Sequence, residues 1–317
     1  MDWAKLRKIA GFYGRFLVSF SAIGFRARSL TWRRLDADFS GQAWIVTGAT
    51  GGIGRAITAE AVRRGATVLA LARSADKLAA LRRECGERVV PVVADLSLVA
   101  DTRRVVRELV ARGPRFDVLV NNVGLLLDDL TLTAEGLETS YATNILNHFV
   151  LTEGLLAAKA FAPGAAIVNM SSGGMYNAPL LIPYMGIKDP RRYSGVYAYA
   201  VHKRGQAELT KYWHARHAGE GLHFYVMHPG WADTDGVKTA MPNFRRILKS
   251  VLRDSLQGAD TAIWLAATRP TEAGPEAFWF DRKPRAEHAY PHTRVTKNTP
   301  EELAAFLERE AQAVAPA

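Results

Sequence analysis

From residue 43 onward, short apolar runs alternate with amphipathic stretches. The runs are Ala43–Thr47, Thr67–Ala72, Val89–Ala94, Val118–Asn121, Ala165–Met170, His223–Met227 and Ala277–Phe280. Near-continuous apolarity over so few residues is what a strand buried on both faces requires. Between the first two runs, Gly52 to Arg64 reads as a helix stopped by Gly65. Longer helical stretches follow at about 98–112, 136–161 and 197–217. Seven strands with helices between them describe an α/β fold, a doubly wound parallel sheet of the Rossmann type. No repeat, low-complexity tract or long linker interrupts it. The reading is one domain over residues 41–317, including a C-terminal helix, preceded by an extension over residues 1–40.

The extension follows another pattern. At 100° per residue, Trp3, Leu6, Ile9, Tyr13, Phe16, Leu17 and Phe20 share one broad face, with Lys8, Arg15 and Arg26 opposite. Two arrangements satisfy such a stripe. One is a helix lying in a membrane interface, giving peripheral contact through residues 1–30; the other is a helix packed on its own domain or on a partner. The stretch from Phe16 to Phe25 is too short to span a bilayer. It is followed by Arg26 and Arg28 rather than a small-residue cleavage site, so the segment reads as retained.

Composition narrows the classes. A hydrophobic content of 48% with 23% charged residues suits a globular chain with a sizeable core. Cys85 is the one cysteine, which excludes an intrachain disulfide framework and a multi-cysteine metal site and fits a cytoplasmic, reducing location. The net charge is +10, and residues 1–40 carry half of that excess. An anionic surface is the natural partner of such asymmetry. No nucleic-acid motif accompanies the charge, so lipid is preferred over nucleic acid.

Three motifs carry chemistry. Thr47-Gly48-Ala49-Thr50-Gly51-Gly52-Ile53-Gly54 lies between the first strand and the first helix. Glycines allow a sharp turn and close approach of backbone to a pyrophosphate, which the free N–H groups of the helix start then receive. Strand before and helix after make this a dinucleotide site. The second strand ends Ala72-Arg73-Ser74, where an NAD-preferring site carries an acid. Arg73 suits a 2′-phosphate instead, so NADP(H) is favoured over NAD(H), with Arg55 either assisting or on the surface. The third motif is Tyr199-Ala200-Val201-His202-Lys203 on a helix. The spacing puts phenol and ammonium on one face, and a cation beside a phenol favours the phenolate.

Taken in order, these residues resemble the short-chain dehydrogenases/reductases over roughly residues 41–285. The resemblance rests on the loop at 47–54, Asn121-Asn122-Val123-Gly124, Asn144, Ser171-Ser172, Tyr199 to Lys203, and Pro229-Gly230. The strings Ser171 to Met175, Met227 to Thr234, Ala240 to Pro242, Gln257 to Thr261 and Asp281 to Pro284 resemble one subgroup that also has a basic, aromatic N-terminal extension. The resemblance implies an enzyme that interconverts a carbonyl and an alcohol by hydride transfer. It makes Tyr199 the general acid/base and gives Ser172 the substrate oxygen, with Ser171 as the fallback. It has Lys203 lower the tyrosine pKa and hold the nicotinamide ribose, and Asn144 position a relay water. It brings Asp95 and Leu96 to the adenine, makes Asn121 a support of the cofactor, and puts Pro229, Gly230 and Thr234 along the nicotinamide and phosphate. Val123 stands where alanine is usual. The alternative is a catalytically idle nucleotide-binding sensor or scaffold, whose mark is loss of the tyrosine, lysine or serine; all three are present. Oligomers occur in the family.

Ser172 and Tyr199 are 27 positions apart. The insert between them holds Met175, Tyr176, Leu180, Leu181, Ile182, Tyr184, Met185 and Ile187, which suggests walls for a lipophilic substrate or, equally, packing on the core. Val237, Met241 and Phe244 offer a second wall, with Arg245, Arg246 and Lys249 facing an acidic group or a lipid surface.

Overall fold

The structure is a computed structural model that describes residues 14–113, 115–234 and 242–315, together with Gly11 and Lys238. Its sheet contains β1 (Ala43–Thr47), β2 (Thr67–Ala72), β3 (Val89–Val93), β4 (Phe116–Asn121), β5 (Phe161–Met170), β6 (His223–Met227), β7 (Phe278–Phe280) and β8 (Lys283–Arg285). They lie in the order β3-β2-β1-β4-β5-β6-β7-β8. All neighbours are parallel except β7 and β8, a hairpin pair whose turn puts Asp281 and Arg282 at positive φ. The expected Rossmann-type sheet is the one found. The antiparallel edge strand β8 is extra, and its three exposed residues, Lys283-Pro284-Arg285, lack the apolar run that marks the others.

The helices are α1 (Ala22–Ser29), α2 (Gly52–Arg63), α3 (Ala75–Cys85), α4 (Val99–Ala111), α5 (Asn147–Ala157), α6 (Gly195–Arg216), α7 (Pro242–Leu248), α8 (Ser255–Thr268) and α9 (Pro300–Ala313). One apolar layer joins Ile45, Leu69, Leu119 and Ile167 of the sheet to Leu109, Leu151, Leu209 and Leu307 of α4, α5, α6 and α9. The other joins Trp44, Val46, Val68 and Val120 to Ile57, Leu78 and Ile263 of α2, α3 and α8. Alternate residues of each strand thus feed opposite layers, as the pleat requires. The chain reverses its winding between β1 and β4, so a crevice opens at their C-terminal ends.

The helix expected over 136–161 is not uniform. Thr139–Tyr141 leads into a π-helical turn at Ala142–Leu146, where the Asn147 N–H reaches back five residues to the Ala142 carbonyl, before α5 begins. Such turns widen a helix locally and re-aim one residue. Here the turn contains Asn144.

Residues 14–20 are helical and are separated from α1 by Ser21, whose backbone is extended. Phe20 is buried in a small aromatic cluster with Tyr176, Phe278 and Phe280, and Phe16 stacks on it at 4.4 Å. This part of the aromatic stripe therefore packs on its own domain. Val18, Ile23 and Leu30 stay exposed. Trp3, Leu6, Lys8, Ile9 and Tyr13 lie outside the described residues.

The apolar insert also turns largely inward. Met175, Tyr176, Leu180, Met185 and Ile187 are buried, and Leu181, Ile182 and Tyr184 pack half-buried against the core. Of the second wall, Phe244 meets Trp231 edge-on at 5.4 Å, while Val237 and Met241 lie outside the described residues.

Candidate active site

At the end of β1 the Thr47 hydroxyl accepts the backbone N–H of Asn122 and of Val123, both at 2.9 Å, tying the glycine loop to the segment after β4. The Asn122 side chain adds a third tie, donating to the Thr47 carbonyl at 2.8 Å. Gly48 has φ +65°, and a Cβ there would meet Val123 Cα and the Asn122 amide at 3.2 Å. A Cβ on Gly54 would lie 2.3 Å from the Gly48 carbonyl. At Gly48 and Gly54 there is no room for a side chain, so the backbone is the surface offered there. Gly51 starts α2 with no side-chain cap, which leaves the first N–H groups of the helix open to an anion. Thr234 lies over the same loop: a Cβ on Gly52 would meet its methyl at 3.1 Å. Thr50 and Ile53 are half-buried in this turn. This cradle fits a dinucleotide pyrophosphate.

Arg73 is exposed just past β2, and Ser74 beside it is spent as the cap of α3. Arg55 pairs with Glu84 on the surface. After β3, the Asp95 carboxylate holds both the N–H and the hydroxyl of Ser97, at 3.0 and 2.8 Å, and Leu96 is buried. Asn121 is oriented differently from the expectation. Its side chain is wholly buried, donating to Thr152 at 3.0 Å and Asn169 at 2.9 Å, and so braces β4 against α5 and β5. Asn122 is the residue tied to the cofactor loop; only its neighbour's place at the strand end hinted at it.

The residues expected to react gather after β5 and on α6. Ser171 is spent, its hydroxyl donating to the Lys203 carbonyl at 2.8 Å. Ser172 lies beside Tyr199: a Cβ on Gly174 would sit 3.5 Å from the Ser172 hydroxyl and 3.6 Å from the Tyr199 ring, and that hydroxyl accepts the Gly174 N–H at 3.1 Å. The Lys203 ammonium lies 5.5 Å from the centre of the Tyr199 ring. Burial raises the Tyr199 pKa above its ordinary value of 10, and the neighbouring Ser172 hydroxyl works against it. The phenol is therefore protonated at neutral pH in the free protein, the form that donates to a carbonyl. Burial also lowers Lys203 to about 7.

Lys203 Nζ donates to the Met170 carbonyl at 2.8 Å and to Gln206 Oε1 at 3.2 Å. The Asn144 side chain is held in both directions by the Leu125 backbone, at 2.8 and 2.7 Å. Gly124 passes between them: a Cβ there would lie 3.2 Å from both Asn144 Oδ1 and Lys203 Nζ. The backbone carbonyl of Asn144, the residue expected to position a relay water, accepts from Gln206 Nε2 at 2.6 Å.

The far wall is the loop after β6. Gly230 has φ +77°, and a Cβ on it would lie 2.4 Å from Arg253 Nε. Arg253 is buried, donates to the Pro229 carbonyl at 3.2 Å and the Phe20 carbonyl at 3.0 Å, and pairs bidentately with Asp281 at 2.6 and 2.9 Å. Trp231 N–H also reaches the Phe20 carbonyl, at 2.9 Å. A Cβ on Gly173 would meet the Phe20 ring at 2.5 Å. The N-terminal segment thus wedges Phe20 between the loop bearing Ser172 and the loop bearing Pro229. The stripe gave no sign of this contact.

Comparison with known proteins follows the same outline. The family model for short chain dehydrogenase matches residues 42–243. Dehydrogenase/reductase SDR family member 12 of Bos taurus is 34% identical over 309 residues, covering 94% of this chain and 95% of its own. Retinol dehydrogenase 14 of Mus musculus is 29% identical, covering 77% of this chain and 78% of its own. Among solved structures, a blue fluorescent protein from a metagenomic library in complex with NADPH superposes with a TM-score of 0.59 at 25% identity, over 73% of this chain and 92% of its own.

Proposed function

The chain belongs to the short-chain dehydrogenase/reductase family and is an oxidoreductase of carbonyls and alcohols; from that premise we propose an NADP(H)-dependent enzyme with Tyr199 as its acid/base and a lipophilic substrate. The observation that carries the reading is Tyr199 beside Ser172 with the Lys203 ammonium 5.5 Å from the centre of its ring. In reduction the Tyr199 O–H bond breaks as the product alcohol forms. Ser172 donates to the same oxygen and offsets the charge developing on it. Lys203 stabilises the phenolate left behind and holds the nicotinamide ribose. When bound, the cofactor supplies the hydride.

Thr47, Gly48, Thr50, Gly51, Gly52, Ile53, Gly54, Val123, Gly124, Pro229, Gly230 and Thr234 would hold the cofactor, with Asp95 and Leu96 toward the adenine. Arg73, exposed past β2 with no acid in its place, supports a 2′-phosphate. The retinol dehydrogenase relative supports a lipophilic alcohol, as do Trp231 and Phe244 beyond β6. The exposed Val18, Ile23 and Leu30, with Arg15 and Arg26 exposed in the same segment, support peripheral contact with an anionic membrane. No helix among the described residues is long and apolar enough to cross one.

The test is a panel of retinal, decanal and glyceraldehyde, followed by loss of NADPH or NADH absorbance, with Tyr199→Phe as the blank. The expected result is preference for the long apolar aldehydes, a loss of at least about a hundredfold in Tyr199→Phe, and a fall in the NADPH/NADH preference in Arg73→Ala. Equal turnover of glyceraldehyde rejects the lipophilic class, and an unchanged preference in Arg73→Ala rejects the NADP assignment.

A further inference from the structure

Gln206 stands one turn beyond Lys203 on α6, and its amide is buried. Its oxygen accepts from Lys203 Nζ at 3.2 Å. Its nitrogen donates to the Asn144 carbonyl at 2.6 Å and meets His148 Nδ1 at 2.9 Å. Only one orientation of the amide fits. Turned over, its N–H groups would face the ammonium and its oxygen would face the Asn144 carbonyl, donor against donor and acceptor against acceptor. His148 Nδ1 is then an acceptor, and the ring carries its proton on Nε2. Burial, with the Lys203 charge adding to it, lowers His148 to about 3, so the ring is neutral.

We propose that Gln206 is a positioning residue for the reaction: it clamps the Lys203 ammonium between two fixed oxygens, its own and that of Met170, and it fills the space where a proton-carrying water would join Lys203 to the Asn144 carbonyl. A primary amide accepts at one end and donates at the other, but it does not pass a proton through without becoming an imidic acid. The back of Lys203 is thereby closed to proton traffic. On this reading the proton that leaves Tyr199 in reduction is replaced by a solvent proton that arrives by a route other than Lys203, and the O–H bond re-forms with it. The titratable groups bearing on Lys203 are Tyr199 and His202 on its own helix and His148 on α5; His202, like His148, is buried and lowered to about 3, hence neutral. The inference rests on the reading of Tyr199 and Lys203 as the reacting pair.

The test compares the full-length wild type with Gln206→Met, which keeps the volume and loses the polar contacts, and Gln206→Glu, which brings a carboxylate to Lys203. Lysine side chains are labelled with ¹³C at Cε, Lys203→Met assigns the signal, and Lys203 is titrated by NMR without cofactor. Lys203 is expected to titrate below the wild type in Gln206→Met, because an acceptor for its charged form is gone, and above it in Gln206→Glu. NADPH affinity, read by its fluorescence, is expected to fall roughly tenfold in Gln206→Met, the size of a lost hydrogen bond to a charged group. With decanal as substrate, the rate in mixed H₂O and D₂O is expected to be linear in deuterium fraction for the wild type. It becomes curved in Gln206→Ala, whose missing amide admits a water. An unmoved Lys203 titration and unchanged NADPH affinity in both Gln206→Met and Gln206→Glu, with only the melting temperature lowered, would overturn the proposal. Failure of the underlying reading looks different: Tyr199→Phe then keeps wild-type turnover, while the Lys203 titration still reports on Gln206.

Discussion

A lysine buried to the depth of Lys203 costs the folded state its charge. Its pKa falls from 10.5 to about 7, so between those values the unfolded chain binds more protons than the folded one. Stability contributed by this group therefore rises as pH increases from about 7 toward 10.5, and the full penalty is present below 7. Lys203→Met is expected to be more stable than wild type at pH 6, by on the order of 1–2 kcal/mol, with the advantage shrinking by pH 9. Urea unfolding at the two pH values measures it, and an advantage that grows with pH contradicts the burial account. The enzyme carries this cost for placing a cation near a phenol that burial otherwise keeps protonated. That Tyr199 and Lys203 share a helix face was legible because the i, i+4 spacing is local, whereas the roles expected of them came from the family resemblance. Gln206 lies at i+3 from the lysine and was equally local, yet a glutamine on a helix carries no signal until the carbonyl it meets, 62 residues earlier, is in place.

Among the elements, the N-terminal segment has the least expected role. Phe20 touches the loop after β5 through Gly173 and the loop after β6 through Trp231, and the Arg253–Asp281 pair fixes its carbonyl from behind. Gly173→Ala drives a methyl into the Phe20 ring and is expected to cost about 1–3 kcal/mol. Phe20→Leu costs packing by itself, but it makes room for that methyl. The two together should therefore lose less than the sum of the single changes, by at least about 0.5 kcal/mol. Strict additivity in denaturant titrations would detach the segment from the site. The expectation for residues 1–30 left two arrangements open because periodicity shows which face of a helix is apolar and not what covers it. Residues 16 and 20 turn inward, while Val18, Ile23 and Leu30 face out.

At the scale of the whole molecule, the exposed Val18, Ile23 and Leu30 lie in the same part of the chain as the concentration of positive charge. Vesicles rich in phosphatidylserine are expected to bind the wild type, and the double variant Val18→Asp, Leu30→Asp should bind at least about tenfold more weakly, since each carboxylate near an acyl boundary opposes insertion. Raising the salt should weaken the wild type as well. Equal sedimentation of the two proteins with such vesicles excludes contact through these residues.

What the sequence determined by itself was whatever depends on near neighbours. Apolar runs marked seven parallel strands, glycines after β1 marked a turn too tight for side chains, and one helical turn joined Tyr199 to Lys203. Tertiary structure decided the contacts between segments far apart in the chain. It turned Asn121 into the core and gave the glycine loop to Asn122. It inserted the Gln206 amide between Lys203 and Asn144, and it wedged Phe20 against the site. The reason is physical. Periodicity records which side of an element avoids water, whereas the partner on that side is chosen only when the sheet brings distant residues within hydrogen-bonding reach.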